Sequence, residues 1–465
     1  MRRANDDEPV ASNGGWLCLL LPTALATSYL HTNKECSNLD AVHQLLIVAA
    51  FGMCLETLWF LLNSIVKDVP CIGLMKYLLK SVIITTIWFI LLPKTSWISL
   101  IVVGFIVPHF YQHIYIRVLR GLPKTFTYGE AAILVQGLLL FVLNAICRLA
   151  LELSSNPTTD FGQLNRIMQS ALMLLLLVCT LLAVVPPLRQ PLPCYVLLLL
   201  LVAAVTCAPV TQPLPLIALL QFLVSDQKRL FIIGFYLLLV ALTCATVHWQ
   251  LRSTQQATTR IRKIFHLLIV LVFVPGLVHQ CALLYIATGI SFAIFVVLEL
   301  LRLLQMPPFA ATLSQAFDSF RDAKDAGQLA LTPFCLLIGC SLPIWLTPCP
   351  CGLITSGQNP QLLLLLSGIL AVGVGDTAAS VLGSKFGRNK WQNSARSVEG
   401  TLAFVASVLL CVLLLEVSGI LAMSQAKWFA TIFAALNASL VEAFTDQVDN
   451  LVLPLVFYII VGLAS

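Results

Sequence analysis

The chain has 465 residues, of which 59% are hydrophobic and 10% charged, with a net charge of +6 and a mean hydropathy of +0.94. A soluble domain carries about 25% charged residues, so a folded water-soluble protein is excluded and most of the chain must sit in lipid. The modest positive balance is that of loops retained on the cytoplasmic side of a membrane and gives no reason to expect nucleic-acid binding.

The first fifteen residues are polar, and the first apolar run begins at Trp16. A secretory signal needs a basic stretch, then at once an apolar run and a small-residue cleavage site. That order is poorly met, so the first membrane helix is expected to direct targeting without cleavage. A spanning helix needs roughly 20 mostly apolar residues. On that rule the candidate spans are 16–31, 44–65, 74–93, 96–116, 130–152, 168–187, 194–210, 229–248, 264–279, 281–301, 329–347, 361–382, 400–422, 428–446 and 450–464. The expected fold is all-α, a polytopic integral membrane protein with about 15 transmembrane helices. Prolines at 186, 187, 191 and 193 break the pattern once, and Pro213 with Pro215 breaks it again. The stretch 211–224 between spans is too short to cross and reads as re-entrant or interfacial. The fifteen cysteines fall mostly in apolar runs, where they act as small hydrophobes, so no disulfide framework is expected. Cys349 and Cys351 form a C-P-C pair, which lacks the spacing of a zinc site.

Polarity divides the chain into two regions. Residues 1–250 form a multi-span region with short loops, scattered charges, no motif and no internal repeat, so its role is unassigned. Residues 251–465 carry two basic clusters, one at Arg252, Arg260, Arg262 and Lys263, the other at Lys385, Arg388, Lys390 and Arg396. Excess positive charge marks the cytoplasmic side. An even number of spans separates the clusters, so both are expected on that side. The polar loop 303–328, with Asp318, Arg321, Asp322, Lys324 and Asp325, follows two spans and returns there, as do Glu442, Asp446 and Asp449. All strongly polar segments of this region therefore converge on one membrane face.

The segment 371–401 is the most informative. Gly375, Ala379, Gly383 and Gly387 recur every four residues and put a small-residue stripe on one helix face. Such a stripe permits close approach of another helix or of a ligand. Asp376 sits at the end of an apolar span, where a carboxylate costs on the order of 3 kcal/mol near the bilayer centre, less near the interface, and is usually paired, hydrated or functional. Arg388, Lys390 and Arg396 follow, then Glu399, Gly400 and Thr401. Carboxylates, glycines and cations together are what a Mg²⁺–triphosphate requires. Neither a G-x-x-x-x-G-K-[ST] loop nor the protein-kinase signature set is present, so phosphate chemistry here needs another scaffold.

The run GVGDTAASVLGSKFGRNKW followed by SVEGT resembles the nucleotide-binding segment of dolichol kinases and related CTP-dependent polyprenol and phytol kinases. Arg262-Lys263 with Phe265-His266 is similar to that family's R-K-x-F-H, and Glu299 with Arg302 to its E-x-x-R. Phe317-Asp318 through Asp322 to Leu331-Thr332-Pro333 resembles its acidic loop, and Glu442 through Asp446, Asp449, Asn450 and Pro454 its C-terminal motif. Five motifs in order cover residues 260–460. One departure is Arg396-Ser397 where the family has Lys-Thr, which keeps the charge and the hydroxyl but exchanges non-equivalent cations.

The resemblance implies a CTP-dependent dolichol kinase in the endoplasmic reticulum membrane, its site facing the cytoplasm, making dolichyl phosphate for protein glycosylation. CTP and dolichol are then its substrates, with Mg²⁺ or another divalent cation as cofactor. Phosphoryl transfer needs alignment, charge neutralisation and removal of the alcohol proton. Asp376 is the leading candidate, as metal ligand or general base, with Glu399 as a second metal ligand and Asp446 and Asp449 as further catalytic acids. Arg262, Lys263, His266, Gly375, Gly383, Gly387, Arg388, Lys390, Arg396, Ser397, Gly400 and Thr401 are the candidate nucleotide and phosphate contacts. Glu299, Arg302, Asp322 and Glu442 are candidates for substrate contact or structural pairing. Glu442, Asp446 and Asp449 are spaced i, i+4 and i+7, as on one face of a single helix. The alternatives are a kinase of another isoprenoid alcohol, a multi-span secondary transporter, which would show inverted repeats, and a cytidylyltransferase, which would release pyrophosphate instead of CDP.

Overall fold

The structure is a computed structural model that describes residues 14–30, 40–65, 82, 85–86, 97–122, 125–152, 160–208, 210–211, 213–252, 257–320, 327–348, 350–351, 361–392 and 394–464. In hydrocarbon the backbone must satisfy its own hydrogen bonds, which long apolar runs do as helices. A 3-10 turn, Gly15–Leu19, leads into α1 (Leu20–Leu30), followed by α2 (Asp40–Ile65). Next, α3 (Trp97–Ile101) runs through a π-helical segment, Val102–Ile106, into α4 (Val107–Gly121). Then come α5 (Tyr128–Glu152), α6 (Asp160–Val184), α7 (Pro191–Cys207), α8 (Pro215–Val224) and α9 (Gln227–Arg252). The second region holds α10 (Thr259–His279), α11 (Cys281–Leu303), α12 (Ala310–Ser319), α13 (Leu331–Leu346) and α14 (Leu362–Leu365). A second π-helical segment, Ile369–Asp376, opens into α15 (Thr377–Phe386), and α16 (Val398–Val417), α17 (Gln425–Phe444) and α18 (Asp449–Ala464) complete the chain.

Among the described residues, eight helical stretches are long and apolar enough to cross a membrane: α2, α5, α6, α9, α10, α11, Ile369–Phe386 and α16. Shorter apolar helices, α1 with its 3-10 turn, α7, α8, α13 and α18, lie among them. The protein is an all-α, multi-pass membrane protein. The expected span 74–93 falls almost wholly outside the described residues. The expected spans 264–279 and 281–301 are α10 and α11, parted only by Gln280. The stretch 211–224 contains the ten-residue α8, too short to cross.

Burial shows where each helix sits. α18 is apolar all round and buried all round: Leu451, Leu453, Leu455, Phe457, Tyr458 and Val461 are inaccessible or nearly so. Such a helix belongs at the centre of a bundle, and α18 packs against α1, α13, α17 and the second π segment. α1, α2, α4 and α5 share the same continuous core, so the N-terminal region is part of the body that holds α18. By contrast α9 turns Phe231 (81% exposed), Leu237, Leu238 and Trp249 outward, as a lipid-facing helix does. A cavity of about 390 Å³, lined by residues such as Leu164, Met168, Leu201, Ile286 and Val297, lies among α6, α7 and α11.

One expectation about cysteine is overturned. Cys281 and Cys351 form a disulfide, with Cα atoms 5.4 Å apart. Both stand at helix ends instead of inside apolar runs: Cys281 opens α11 and Cys351 lies beyond the end of α13. The packing of α11 on α13 brings those ends together. Asp226, Arg229 and Gln280 meet at the same end of α10 and α11: Gln280 Nε2 donates to Asp226 Oδ2 at 2.5 Å, and Arg229 Nε donates to Gln280 Oε1 at 3.0 Å.

Candidate active site

Asp376 terminates the π segment, and its carboxylate is 5% exposed. π-helical turns within α-helices recur at functional sites because they shift one side chain out of the regular register. Lys263 Nζ on α10 donates to Asp376 Oδ2 at 2.6 Å, and His266 Nε2, one turn on, lies 3.5 Å from the same oxygen. The i, i+3 spacing of Lys263 and His266 puts both on the α10 face that packs against the π segment. His266 Nε2 is also 3.3 Å from Asn450 Oδ1 on α18, and its Nδ1 is 3.3 Å from the Arg262 carbonyl. Three helical segments thus deliver one buried cation, one imidazole, one amide and one carboxylate to a single point.

The second acidic group sits beside it. Glu442, near the end of α17, is 5% exposed, and its electrostatic neighbours are Asp376, Asp449, Arg396 and Lys263. Arg396 Nη2 donates to Asp449 Oδ2 at 3.1 Å. The single-helix arrangement expected for Glu442, Asp446 and Asp449 does not form. α17 ends at Phe444, Thr445 is extended (φ −119°, ψ 147°), and α18 starts at Asp449. Glu442 and Asp449 converge from two helices across this turn, while Asp446 points outward at its exposed tip.

The basic segment forms a small hairpin at the same end. Lys390 pairs with Ser397 across an antiparallel bridge, and the Val398 amide donates to the Asn389 carbonyl at 2.8 Å. Arg388 and Lys390 are exposed on it. Glu399 is half-buried: its oxygens accept from the Asn389 amide at 3.0 and 3.2 Å, and Oε1 accepts from Asn389 Nδ2 at 3.0 Å. Trp391 Nε1 donates to Thr401 Oγ1 at 3.0 Å, and Ser394 Oγ donates to the Ala443 carbonyl at 2.6 Å, which docks the hairpin on α16 and α17. The small-residue stripe lets α15 lie against α16. A methyl at Gly375 would meet the Phe404 ring at 2.6 Å, one at Gly383 would meet Ser397 Oγ at 3.1 Å, and one at Gly387 the same atom at 2.5 Å. Gly400 closes the contact from the other side, and Ser397 caps α16 by accepting from the Gly400 amide at 3.1 Å.

Glu299 and Arg302 form a buried two-point ion pair, with both N–O distances 2.7 Å. Arg302 also donates to the Gln328 carbonyl at 2.6 Å, and Glu299 accepts from the Ala330 amide at 3.1 Å, so the pair fixes the chain entering α13. Asp322 lies outside the described residues. Asn450 belongs to the C-terminal motif, where its residue type alone assigns it no role; its place at the head of α18 brings it to His266.

Among the described residues no group of three or more His, Cys, Asp or Glu side chains forms a ready metal cage. A nucleotide-borne Mg²⁺ does not need one: one or two carboxylates suffice, with phosphates and water completing the shell. Asp376, with Glu442 and Asp449 close by and Lys263 and Arg396 to neutralise phosphate, fits that requirement. Glu399 would reach such an ion only by releasing Asn389.

Comparison with known proteins identifies the family of the chain, by a match that includes Lys263, His266, Glu299 and Arg302 and ends before Asp376. A family model described as dolichol kinase matches residues 43–336. The chain is 37% identical to a human dolichol kinase over 248 residues, covering 51% of this chain and 46% of that protein. It is 33% identical to the mouse dolichol kinase over 376 residues, 73% of this chain and 65% of the relative, and 35% identical to an Arabidopsis thaliana dolichol kinase over 235 residues, 50% and 40%. The matches thus span between 40% and 65% of the length of these relatives. No solved structure matches. With the family model covering more than half its length, this chain belongs to the dolichol kinase family.

Proposed function

We propose that the chain is a dolichol kinase, transferring the γ-phosphate of CTP to the terminal hydroxyl of dolichol to give dolichyl phosphate and CDP. The observation that carries this reading is the ion pair between Lys263 on α10 and the buried Asp376 at the end of the π segment, with Glu442, Arg396 and Asp449 as its neighbours. Phosphoryl transfer is chiefly a matter of alignment and charge neutralisation. Lys263 and Arg396, each now held by a carboxylate, are the cations placed to exchange those partners for phosphate oxygens, with Arg262, Arg388 and Lys390 as further basic residues of the same two segments. Removing one partner from a buried ion pair typically costs about 3–5 kcal/mol, so Lys263 is held in place until an anion substitutes for Asp376.

The dolichol oxygen attacks the γ-phosphorus, the bond to the bridging oxygen of CDP breaks, and the alcohol proton passes to a carboxylate. Asp376 and Glu442 are the buried acids able to take it. A bound Mg²⁺, held by Asp376 with Glu442 or Asp449, would neutralise phosphate charge. The acceptor is mostly hydrocarbon, and a site at the end of a lipid-embedded bundle admits its hydroxyl while the tail stays in the bilayer.

We further propose about fifteen crossings, an endoplasmic reticulum location and a cytoplasm-facing site. Two observations support the orientation. The basic residues of α10 and the hairpin gather at the site end, as positive-inside retention requires. The Cys281–Cys351 disulfide lies at the opposite end of α10 and α11, where an oxidising lumen would keep it formed. Product analysis tests the reaction type. A kinase yields CDP and a lipid monophosphate from CTP and dolichol; pyrophosphate and a CMP-bearing lipid would assign a cytidylyltransferase.

A further inference from the structure

The N-terminal region carries no motif of its own, yet its chain reaches the candidate site. Thr127, Tyr128, Gly129 and Glu130 open α5 with the T-x-x-E pattern of a capping box. Within the box, Glu130 Oε2 accepts from the Thr127 amide at 2.9 Å and the Glu130 amide donates to Thr127 Oγ1 at 3.3 Å. A capping box alone needs nothing further. Here both side chains continue outward to the turn between α17 and α18: Glu130 Oε1 accepts from the Val448 amide at 2.8 Å, and Thr127 Oγ1 donates to Gln447 Oε1 at 2.8 Å. Glu130 is 5% exposed and Gln447 is fully buried.

The position of this contact gives it consequence. Val448 precedes the first residue of α18, and its carbonyl accepts the first hydrogen bonds of that helix, from the Leu451 and Val452 amides. The next two residues are Asp449, which holds Arg396, and Asn450, which faces His266 beside Asp376. The Glu130 carboxylate also sits where the positive end of the α18 dipole favours an anion. The packing is tight enough to transmit position. A methyl at Gly14 would meet Gln447 Oε1 at 2.5 Å, and one at Gly129 would collide with the Gly14 carbonyl. Thr125, in the same turn, accepts from the Gln328 amide at 3.3 Å, so the segment also touches the chain that Arg302 fixes ahead of α13.

We propose that Thr127 and Glu130 are positioning residues that set the start of α18, and with it Asp449 and Asn450, in the site. This gives the N-terminal region a function in phosphoryl transfer without placing any of its residues on substrate; its catalytic consequence rests on the kinase reading above.

The test compares the full chain with Glu130→Gln, which keeps the size but turns an N–H toward one of the two amides that Glu130 now accepts from. Hydrogen exchange is read first, because it needs no activity. Exchange in the peptide spanning 445–452 is expected to speed up on the order of tenfold, the scale of a lost charge-assisted hydrogen bond, while the middle of α5 stays protected. Unchanged exchange there would overturn the proposal. Kinetics follow: kcat/KM for CTP is expected to fall on the order of tenfold in the otherwise intact chain, but less than about twofold further when Asp449→Asn is already present, because coupled residues are not additive. An equal loss in both backgrounds would mark general destabilisation and also overturn it. Should Glu130→Gln fail to accumulate, Thr127→Val, which deletes one hydroxyl, carries the same comparison with a smaller expected change. If the unaltered chain shows no transfer while the exchange result holds, the kinase reading fails and the clamp on α18 stands.

Discussion

The two ends of the helix bundle are built from different materials. At one end, Lys263, His266, Asp376, Arg396, Glu442 and Asp449 bring cations, carboxylates and an imidazole close together, with His266, Asp376 and Glu442 buried. At the other, a disulfide between Cys281 and Cys351 and a hydrogen-bonded knot of Asp226, Arg229 and Gln280 tie helix ends together. Both arrangements hold helices in place, but the first gathers two cations and three carboxylates, Lys263 and Arg396 with Asp376, Glu442 and Asp449, against one of each at the second. The contrast teaches where to look for chemistry in a chain that is apolar nearly throughout. Buried charge is expensive in lipid and is retained where it serves a purpose, whereas a covalent link stabilises without offering a reactive group.

Substitutions at the two ends should therefore separate activity from stability. The largest effect is expected from Lys263→Met. It keeps the stem and removes the cation, so phosphate transfer in membranes should fall by about two to three orders of magnitude, the scale of losing a preorganised charge contact. Transfer within threefold of the unaltered chain would remove Lys263 from the phosphate site. Asp449→Asn comes next. It loosens Arg396, and a loss of roughly ten- to a hundredfold in kcat/KM for CTP is expected, as for a charge-assisted hydrogen bond. A smaller change is expected for Arg396→Lys, which keeps the charge while exchanging a planar guanidinium for a point charge. Its KM for CTP should shift by about threefold with kcat nearly constant, and a collapse of kcat instead would mean that Arg396 acts on the transition state. At the opposite end, Cys281→Ser should leave transfer within about twofold while lowering the thermal midpoint by a few degrees, because a disulfide acts mainly on the unfolded chain. A tenfold loss of transfer in that variant would erase the distinction between the ends.

Much of the candidate site is legible in the sequence. Asp376 stands out as a carboxylate at the end of an apolar run, and the spacing of Lys263 and His266 puts them on one face. The apolar runs located the helices, although α13 and α18, at sixteen residues each, are short for a crossing. Three features could not be read. The acids at 442, 446 and 449 fit a helical period, but the chain turns after Phe444, and α18 packs as a separate helix against α1 and α13 through contacts that no local pattern encodes. The pairing of Cys281 with Cys351 depends on α11 packing against α13 across a separation of 70 residues, which no local pattern encodes. Thr127 and Glu130 read as an ordinary helix cap. Their reach to Gln447 and Val448 spans more than 300 residues of sequence and is set by where α5 meets the head of α18.

The central claim is that the buried Asp376 cluster transfers phosphate from CTP to dolichol. The most direct measurement is the transfer of label from γ-labelled CTP to added dolichol in membranes containing the full chain, beside Asp376→Asn at matched protein level. A Lys263→Met/Asp376→Asn double variant serves as the control in which neither charge is left unpaired. The account predicts labelled dolichyl phosphate from the unaltered chain and a loss of at least about a thousandfold in both variants, as when a group acting only in the transition state is removed. Near-normal labelling by Asp376→Asn would contradict the assignment of this cluster, and no labelled lipid from the intact chain would contradict the kinase reading itself.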